Sequence, residues 1–344
     1  MGDARRIRPV LAPLSWIYGA VVSIRNACYD SGIFSVKKIN TPVISVGNIT
    51  TGGTGKTPLV EHLITRLTGR GLRPAVLSRG YGRTTRGTLV VSDGSSVLET
   101  AMRGGDEPVQ IARKFPRCPV VVDADRVRGA RLIESRFAPD VILLDDGFQH
   151  RALHRDLDVV VLDDVPDASK MRLLPAGDRR EPMGALGRAG LVIVNRRREG
   201  TPTAGAPGRI VMRHRLKRIV DPATGGDVPF DTLRGAACIA FCGIGNPGAF
   251  ARTLADNGIS PAGFLVFPDH HRFGDRDFER IDACSDENAA RFIVTTEKDA
   301  VRLDAGSRRA AGIPGGLVVA EIEAVIETGG ELIDAALDGI GRAA

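Results

Sequence analysis

Between Val43 and Pro58 the chain reads V-I-S-V-G-N-I-T-T-G-G-T-G-K-T-P. An apolar, β-branched run ends at Gly47, a turn rich in glycine and threonine follows, and helix-forming residues begin near Lys56. That order suits phosphate. Glycines let backbone N–H groups curl around phosphate oxygens, and a helix N-terminus adds its partial positive charge. The turn through Thr50, Thr51, Gly52, Gly53, Thr54 and Gly55 would form the cradle. Lys56 would reach the β- and γ-phosphates, and the Thr57 hydroxyl would take a magnesium position. The spacing departs once from the usual G-x-x-x-x-G-K-[ST], with Thr50 where the first glycine stands.

Such a cradle needs an acidic magnesium partner at the end of a buried strand. Two segments compete: V-I-L-L-D-D, ending in Asp145 and Asp146, and V-V-V-L-D-D, ending in Asp163 and Asp164. Pattern alone does not separate them. The first runs into G-F-Q-H, a tight turn that would present Gln149 and His150 at the same sheet edge. Phosphoryl transfer to a weak nucleophile also needs a group that accepts its proton. The candidates are Asp106 in G-G-D-E-P, His150, and His270 in F-P-D-H-H-R-F; G-G-D-E-P would serve equally well as a helix N-cap.

The elements that must hold these residues follow from periodicity. P-V-I-S-V-G, R-P-A-V-L-S, P-V-V-V-D, D-V-I-L-L-D, L-D-V-V-V-L-D and A-G-L-V-I-V-N are short continuous apolar runs separated by helix-length intervals. They predict a mostly parallel sheet covered by helices on both faces. Residues 198–208, rich in Gly, Pro, Thr and Ala, read as a boundary, and the basic run from Arg209 to Val220 reads as an exposed strand. A second α/β series starts at Ala236. The expected organisation is a basic amphiphilic segment over 1–40, a P-loop domain over 41–208, basic linker strands over 209–235 and a smaller α/β domain over 236–344.

The 344 residues suffice for two cores without staples, and 43% hydrophobic with 26% charged content is ordinary for a globular chain, which excludes collagenous and wholly disordered classes. Five cysteines make no secretory disulfide framework, and the pair in C-I-A-F-C reads as buried, inert thiols on one strand face. Of the net charge of +6, the first 40 residues contribute six basic side chains against two acidic ones. Between Arg8 and Arg25 lies an apolar stretch containing Trp16 and Tyr18, too short to span a bilayer. It fits a helix lying in a membrane interface, with a core helix as the alternative.

Two rival signals stand beside the cradle. Gly243, Gly245 and Gly248 make G-x-G-x-x-G between a strand and a helix, with Asp269 following, the outline of a dinucleotide fingerprint. Asp269-His270-His271 could ligate a metal, although no other His/Cys cluster completes a set. A regulatory P-loop ATPase that binds membrane or nucleic acid is the alternative to an enzyme that transfers phosphoryl to an acceptor. Aromatic residues, at 5%, are not interleaved with basic ones, so no nucleic-acid surface is expected.

G-N-I-T-T-G-G-T-G-K-T-P, S-R-G-Y-G-R, G-D-E-P, D-D-G-F-Q-H, G-x-x-R-E-P and T-E-K-D occur in this order from Gly47 to Asp299. Together they resemble the tetraacyldisaccharide 4′-kinases of lipid A biosynthesis. Thr50 in place of glycine is then a family trait. The resemblance implies a P-loop NTPase-like sheet with a second, smaller α/β domain closing over the site. It also implies transfer of the γ-phosphate of ATP, with Mg2+, to the 4′-hydroxyl of a tetraacylated glucosamine disaccharide 1-phosphate, at the cytoplasmic face of the inner membrane, where the enzyme is peripheral. By the same resemblance Asp106 is the base, His270 assists it, Arg126 in D-A-D-R stabilises the transferring phosphoryl group, and Arg180–Glu181 contact phosphate or metal. The magnesium set becomes Thr57, Asp145, Asp146, Gln149 and Glu181. The resemblance leaves the roles of Arg79, Arg83 and the segment Thr296–Asp299 open, and the last also reads as a helix N-cap.

Overall fold

The protein is described by a computed structural model covering residues 9–163, 172–196, 210–303 and 316–341. The expected boundary at 198–208, Asp164, and Arg5, Arg6 and Arg8 lie outside these residues.

The first five strands of the N-terminal half are β1 (Val43–Gly47), β2 (Pro74–Ser78), β3 (Leu89–Ser92), β4 (Val120–Val122) and β5 (Val141–Asp145). Then come β6 (Leu157–Asp163) and β7 (Leu191–Asn195). Every residue of β1, β2, β4 and β5 is buried, as expected for strands covered on both faces. The connecting helices α2 (Lys56–Gly69), α3 (Ala101–Gly104), α4 (Asp106–Lys114) and α5 (Arg126–Phe137) supply that cover. Among the described strands of this half only β3, at the sheet edge, runs antiparallel.

The C-terminal half contributes β8 (Ile210–Val220), β9 (Asp227–Val228), β10 (Cys238–Cys242), β11 (Gly263–Val266), β12 (Phe292–Thr296) and β13 (Leu317–Thr328). Its helices are α6 (Phe230–Arg234), α7 (Pro247–Asp256), α8 (Asp275–Glu287), α9 (Glu297–Ala300) and α10 (Gly330–Gly341). Among the described residues a single thirteen-stranded sheet runs β11-β10-β12-β13-β8-β7-β6-β1-β5-β2-β4-β3, with β9 beside β8.

The basic run read as an exposed strand is therefore an interior one. β8 pairs parallel with β7 and antiparallel with β13, and its apolar residues Ile210, Val211, Met212, Leu216, Ile219 and Val220 are buried. Its arginines look outward and are matched by the partner strand: Arg215 pairs with Glu323 at 2.5 Å and Arg218 with Glu321 at 2.8 Å. Opposite charges placed across two strands support register, which the sequence of one strand alone could not reveal. The halves also share a core. Leu59, Leu63, Ile64 and Leu67 of α2 lie in one apolar cluster with Ala324 of β13 and Ile333, Leu337 and Ile340 of α10.

Helix α1 (Ala12–Asp30) has inverted polarity. Its buried positions are Ser15 and Asn26, whereas Trp16 is 76% and Ile17 62% exposed, with Val21 and Ile24 also outside. A surface helix of a globular protein turns its apolar stripe inward, so this one is not a core helix. Polar bonds moor it: Ser15 Oγ donates to the carbonyl of Leu173 (3.0 Å), Tyr18 to that of Arg180 (2.9 Å) and Arg25 to that of Gln149 (2.7 Å). No described helix is long and apolar enough to cross a membrane.

Candidate active site

Strand β1 delivers the chain to the glycine turn, and α2 leaves it at Lys56 with Gly55 as N-cap at φ +90°, a left-handed conformation. A Cβ at Gly55 would collide with the His214 imidazole and press on Asn195 Nδ2, so glycine is required twice over. No side chain caps α2, which leaves its N-terminus for a ligand. Polar strand-end residues hold the turn open. Asn48 Nδ2 donates to Thr54 Oγ1 (2.9 Å), and Asn195 Nδ2 donates to the carbonyl of Thr54 (3.0 Å). The outer rim is tied down where Thr51 N–H donates to the Asp178 carbonyl (2.7 Å).

The choice between the acidic pairs falls to geometry. Strands β5 and β6 both flank β1, and β5 ends level with it, Val46 lying opposite Asp145. Asp163 lies on β6, in register with Asn195, past the residues that pair with β1. Asp146 Oδ1 stands 3.6 Å from Lys56 Nζ, and Arg180 Nη1 donates to both Asp146 oxygens at 2.8–3.0 Å. Asp146 adopts φ +53°, a costly conformation for a non-glycine residue and one that clusters at functional sites. Burial tends to raise its pKa, but Lys56 and Arg180 prevail and hold it below the usual carboxylate range. Asp145 is fully buried. Burial first, then the negative charges of Glu107 and Asp146, push it up to about 7, and its Oδ1 has no hydrogen-bond partner among the described residues. Ser78 Oγ donates to the other oxygen at 3.3 Å.

Gln149 and Glu181 meet beside this pair. Gln149 Nε2 donates to the Asn48 carbonyl (2.8 Å) and to Glu181 Oε1 (3.1 Å). Glu181 is engaged at both oxygens, by Arg188 (3.0 and 3.2 Å) and by Asn26 Nδ2 (2.9 Å). Arg126 opens α5 behind Asp125, whose carboxylate caps the N–H groups of Val127 and Arg128. The Arg126 guanidinium is buried, donates to the Asp123 carbonyl at 2.5 Å, and is lowered to about 10 by desolvation against the pull of Asp145 and Asp146.

The third group comes from both halves. Asp106 is the first residue of α4, and His270, at φ +59°, follows β11; His270 Nδ1 and Asp106 Oδ2 are 2.8 Å apart. Arg302 Nε donates to the same oxygen at 2.6 Å. Burial raises the Asp106 pKa, but the bonds from His270 and Arg302 outweigh it, leaving a carboxylate that is ionised at neutral pH. The Tyr81 ring of S-R-G-Y-G-R lies 5.1 Å from the His270 ring. His150 does not join them: burial and then the charge of Arg126 hold it to about 4, too low for a base working near neutrality.

The rival signals dissolve in the same geometry. The glycine turn at Gly243 is plugged by protein, because Gly243 N–H donates to both oxygens of Asp299 (3.0 and 3.1 Å). Pro247 simply opens α7 behind Asn246, which caps Ala249 N–H. His271 turns away from His270 to meet Asp277 at 2.8 Å, and among the described residues no group of three or more His, Cys, Asp or Glu is disposed to hold a metal ion. Cys238 and Cys242 are buried in one apolar cluster, and burial pushes Cys242 up to about 12.

A phosphate turn with its lysine and acidic strand end, in a chain that also brings a carboxylate and an imidazole together, defines a P-loop kinase. The chain belongs to the tetraacyldisaccharide-1-P 4′-kinase family, whose model matches residues 7–339. A tetraacyldisaccharide 4′-kinase of Anaeromyxobacter sp. (strain Fw109-5) is 44% identical over 313 residues, covering 88% of this chain and 84% of the relative. One from Geobacter metallireducens is 42% identical over 302 residues, covering 87% and 89%. The fold is similar to the crystal structure of LpxK from Aquifex aeolicus in complex with ATP, with a TM-score of 0.81 and 33% identity over 97% of this chain and 99% of that one.

Sequence reasoning missed Arg302 and left Lys298 open. The available signal was E-K-D-A-V-R directly after the apolar strand R-F-I-V-T-T, a charged run at the end of a buried strand. It also missed Asn48 and Asn195, each a lone polar residue closing an apolar run.

Proposed function

We propose that this site transfers the γ-phosphoryl group of ATP to the 4′-hydroxyl of a tetraacylated glucosamine disaccharide 1-phosphate. The observation that carries the reading is the pairing of Asp106 with His270 across the two halves, in a chain whose P-loop Lys56 meets Asp146. In phosphoryl transfer, positioning and charge neutralisation supply most of the catalysis. The turn Thr50–Gly55 and the N-terminus of α2 bind the phosphates, Lys56 holds the β- and γ-phosphates, and Arg126 offsets charge on the transferring group. Asp106 takes the hydroxyl proton as oxygen bonds to phosphorus and the bond to the bridging oxygen of ADP breaks. His270 orients the carboxylate. The smaller α/β half, over 236–344, closes its histidine onto the P-loop half.

The residues fit a hard divalent cation. Asp145 carries a buried oxygen with no partner, beside a second carboxylate, and Mg2+ favours one or two carboxylates completed by phosphate oxygens. Thr57, Asp145, Asp146 and Gln149 would hold it, while Glu181 orients the Gln149 amide. Bound Mg2+ would neutralise charge developing on the phosphates.

A lipid acceptor would put the enzyme at a membrane, peripherally at the cytoplasmic face of the inner membrane. Support comes from the outward apolar face of α1 and, in the sequence, from Arg5, Arg6, Arg8 and Arg25 flanking it, a basic side chain near an anionic surface being worth about 1 kcal/mol. Transfer of labelled γ-phosphate from ATP to purified tetraacyl disaccharide 1-phosphate tests the reaction; ATP turnover indifferent to that acceptor would return the regulatory ATPase. Replacing Trp16 and Ile17 with Asp should release the protein from anionic vesicles and leave ATP binding intact. Unchanged vesicle binding in low and high salt would refute the docking role.

A further inference from the structure

The segment T-E-K-D-A-V-R after β12 sends two cations to the Asp106–His270 pair. Lys298 Nζ has three acceptors within reach: His270 Nε2 at 3.3 Å, Asp269 Oδ1 at 3.4 Å and Glu107 Oε1 at 3.4 Å. An ammonium carries three donors and no acceptor. Its contact with Nε2 therefore requires a lone pair on that nitrogen, which puts the ring proton on Nδ1, where it points at Asp106 Oδ2. Asp269 Oδ1, 3.9 Å from Nε2, is too far to accept a proton from it. Arg302 takes the same Asp106 oxygen through Nε, and its Nη1 is fixed by the Gly243 carbonyl and by Asp299, both at 2.9 Å. Among the described residues nothing hydrogen-bonds Asp106 Oδ1, although the side chain keeps some exposure.

We infer that Lys298 and Arg302 are positioning residues that fix the proton inventory of the pair: His270 neutral with its proton on Nδ1, Asp106 a carboxylate anchored through Oδ2, and Oδ1 presented to the acceptor hydroxyl. The inference rests on the kinase reading above. The arrangement makes the imidazole a donor that cannot compete for the substrate proton, because its only lone pair is occupied by an ammonium. It also explains why the base is held by two donors on one oxygen: a carboxylate pinned at Oδ2 can turn only the other oxygen to the substrate. The segment is itself anchored to the P-loop half, since Glu297 Oε1 meets Lys114 Nζ (2.8 Å), which also meets Glu61 of α2 (2.8 Å). Charged and titratable groups facing the pair are Lys298, Arg302, Glu107, Asp269 and Asp299, with the Tyr81 ring on His270.

The deciding experiment compares the full-length protein with Lys298→Met, Lys298→Arg and Arg302→Lys, using ATP and tetraacyl disaccharide 1-phosphate in vesicles. A misplacement of about 1 Å can cost roughly 10²-fold in rate, so Lys298→Met should lose roughly 10–100-fold in kcat with KM for ATP unchanged, and Lys298→Arg should recover part of it. Ring 15N shifts of His270, identified by their loss in His270→Gln, should show an unprotonated Nε2 in the parent and a tautomer mixture in Lys298→Met. Arg302→Lys, which keeps a cation but loses the Nε geometry, should move the acid limb of the kcat/KM profile to higher pH. A parent ring protonated at Nε2, or an unchanged tautomer and full kcat in Lys298→Met, would overturn the inference. If Asp106→Ala is inactive in the same series, the kinase reading survives that outcome; if Asp106→Ala stays active, the reading itself falls.

Discussion

Two junctions in this chain have the same outline, a buried strand running through a glycine-rich turn into a helix. The first leads from β1 through Gly47–Gly55 into α2, the second from β10 through Gly243–Gly245 into α7. They differ in what occupies the amides. The helix of the first has no side-chain cap, and Lys56 stands at its start opposite Asp146. The second is closed by its own chain: Asp299 takes Gly243 N–H with both oxygens, and Asn246 caps α7. Glycine spacing shows where backbone can approach an anion. Whether the anion is a ligand or a buried aspartate depends on a residue more than 50 positions away.

The comparison breaks most visibly at the first junction. Phosphate-stabilising cations in phosphoryl transfer are worth roughly 10³–10⁵-fold in rate. Lys56→Ala should therefore abolish most turnover in a phosphate-transfer assay while thermal unfolding stays near that of the parent. Asp146→Asn should follow it, and Asp163→Asn should remain close to parental activity. If Asp163→Asn were the more damaging, the magnesium strand would be β6 and the pairing of β5 with the cradle incidental.

Next in size is the Asp106–His270 pair. Loss of a general base costs roughly 10²–10⁴-fold, and groups acting as a unit are not additive. Asp106→Ala and His270→Ala should each be severe, with the double variant little worse than the worse single one. His271→Ala should stay active, its partner being Asp277 rather than the pair. Multiplicative losses would mean that the two halves contribute independently.

Legibility in the sequence tracked whether a feature was local. The apolar runs of β1, β2, β4 and β5, the turn and helix at Lys56, and the buried thiols of C-I-A-F-C were all readable because each depends on neighbours within one element. Asp106 and His270 stood among the candidates beside His150, but their pairing came only from the family resemblance, since nothing local brings residues 164 positions apart to 2.8 Å. The interior place of β8 was hidden because the glutamates that satisfy its arginines sit on β13. Arg302 was missed for the same reason: its target belongs to the other half.

The second junction makes a different kind of prediction. Asp299 is wholly buried and bound by Gly243 N–H, Thr296 Oγ1 (2.6 Å) and Arg302 (2.9 Å). Removing one partner of a buried ion pair costs about 3–5 kcal/mol. Asp299→Ala should lose stability of that order in urea unfolding, and it should not acquire affinity for NAD by equilibrium dialysis. A nearly neutral effect on stability would mean that the turn is not held closed by this carboxylate.

The smallest effect concerns the tie between the junctions. Lys114 Nζ lies 2.8 Å from Glu61 of α2 and 2.8 Å from Glu297 of α9, so one ammonium serves two buried carboxylates. Burial, and then the charge of Glu61, push Glu297 from an ordinary 4.5 up to about 7, with Lys114 pulling the other way. Between those values the folded protein binds a proton that the unfolded chain has released. Stability from this group therefore falls as pH rises from about 4.5 to about 7 and levels off above. Asp145, also pushed up to about 7, contributes with the same sign, whereas buried His150, lowered to about 4, contributes with the opposite one. The test is consequently a difference. Urea unfolding of the parent and of Glu297→Gln across pH 4.5–8 should show the parent losing ground to the variant up to about pH 7, then a constant gap. A gap independent of pH would mean that Glu297 is ionised throughout, with Lys114 satisfying it.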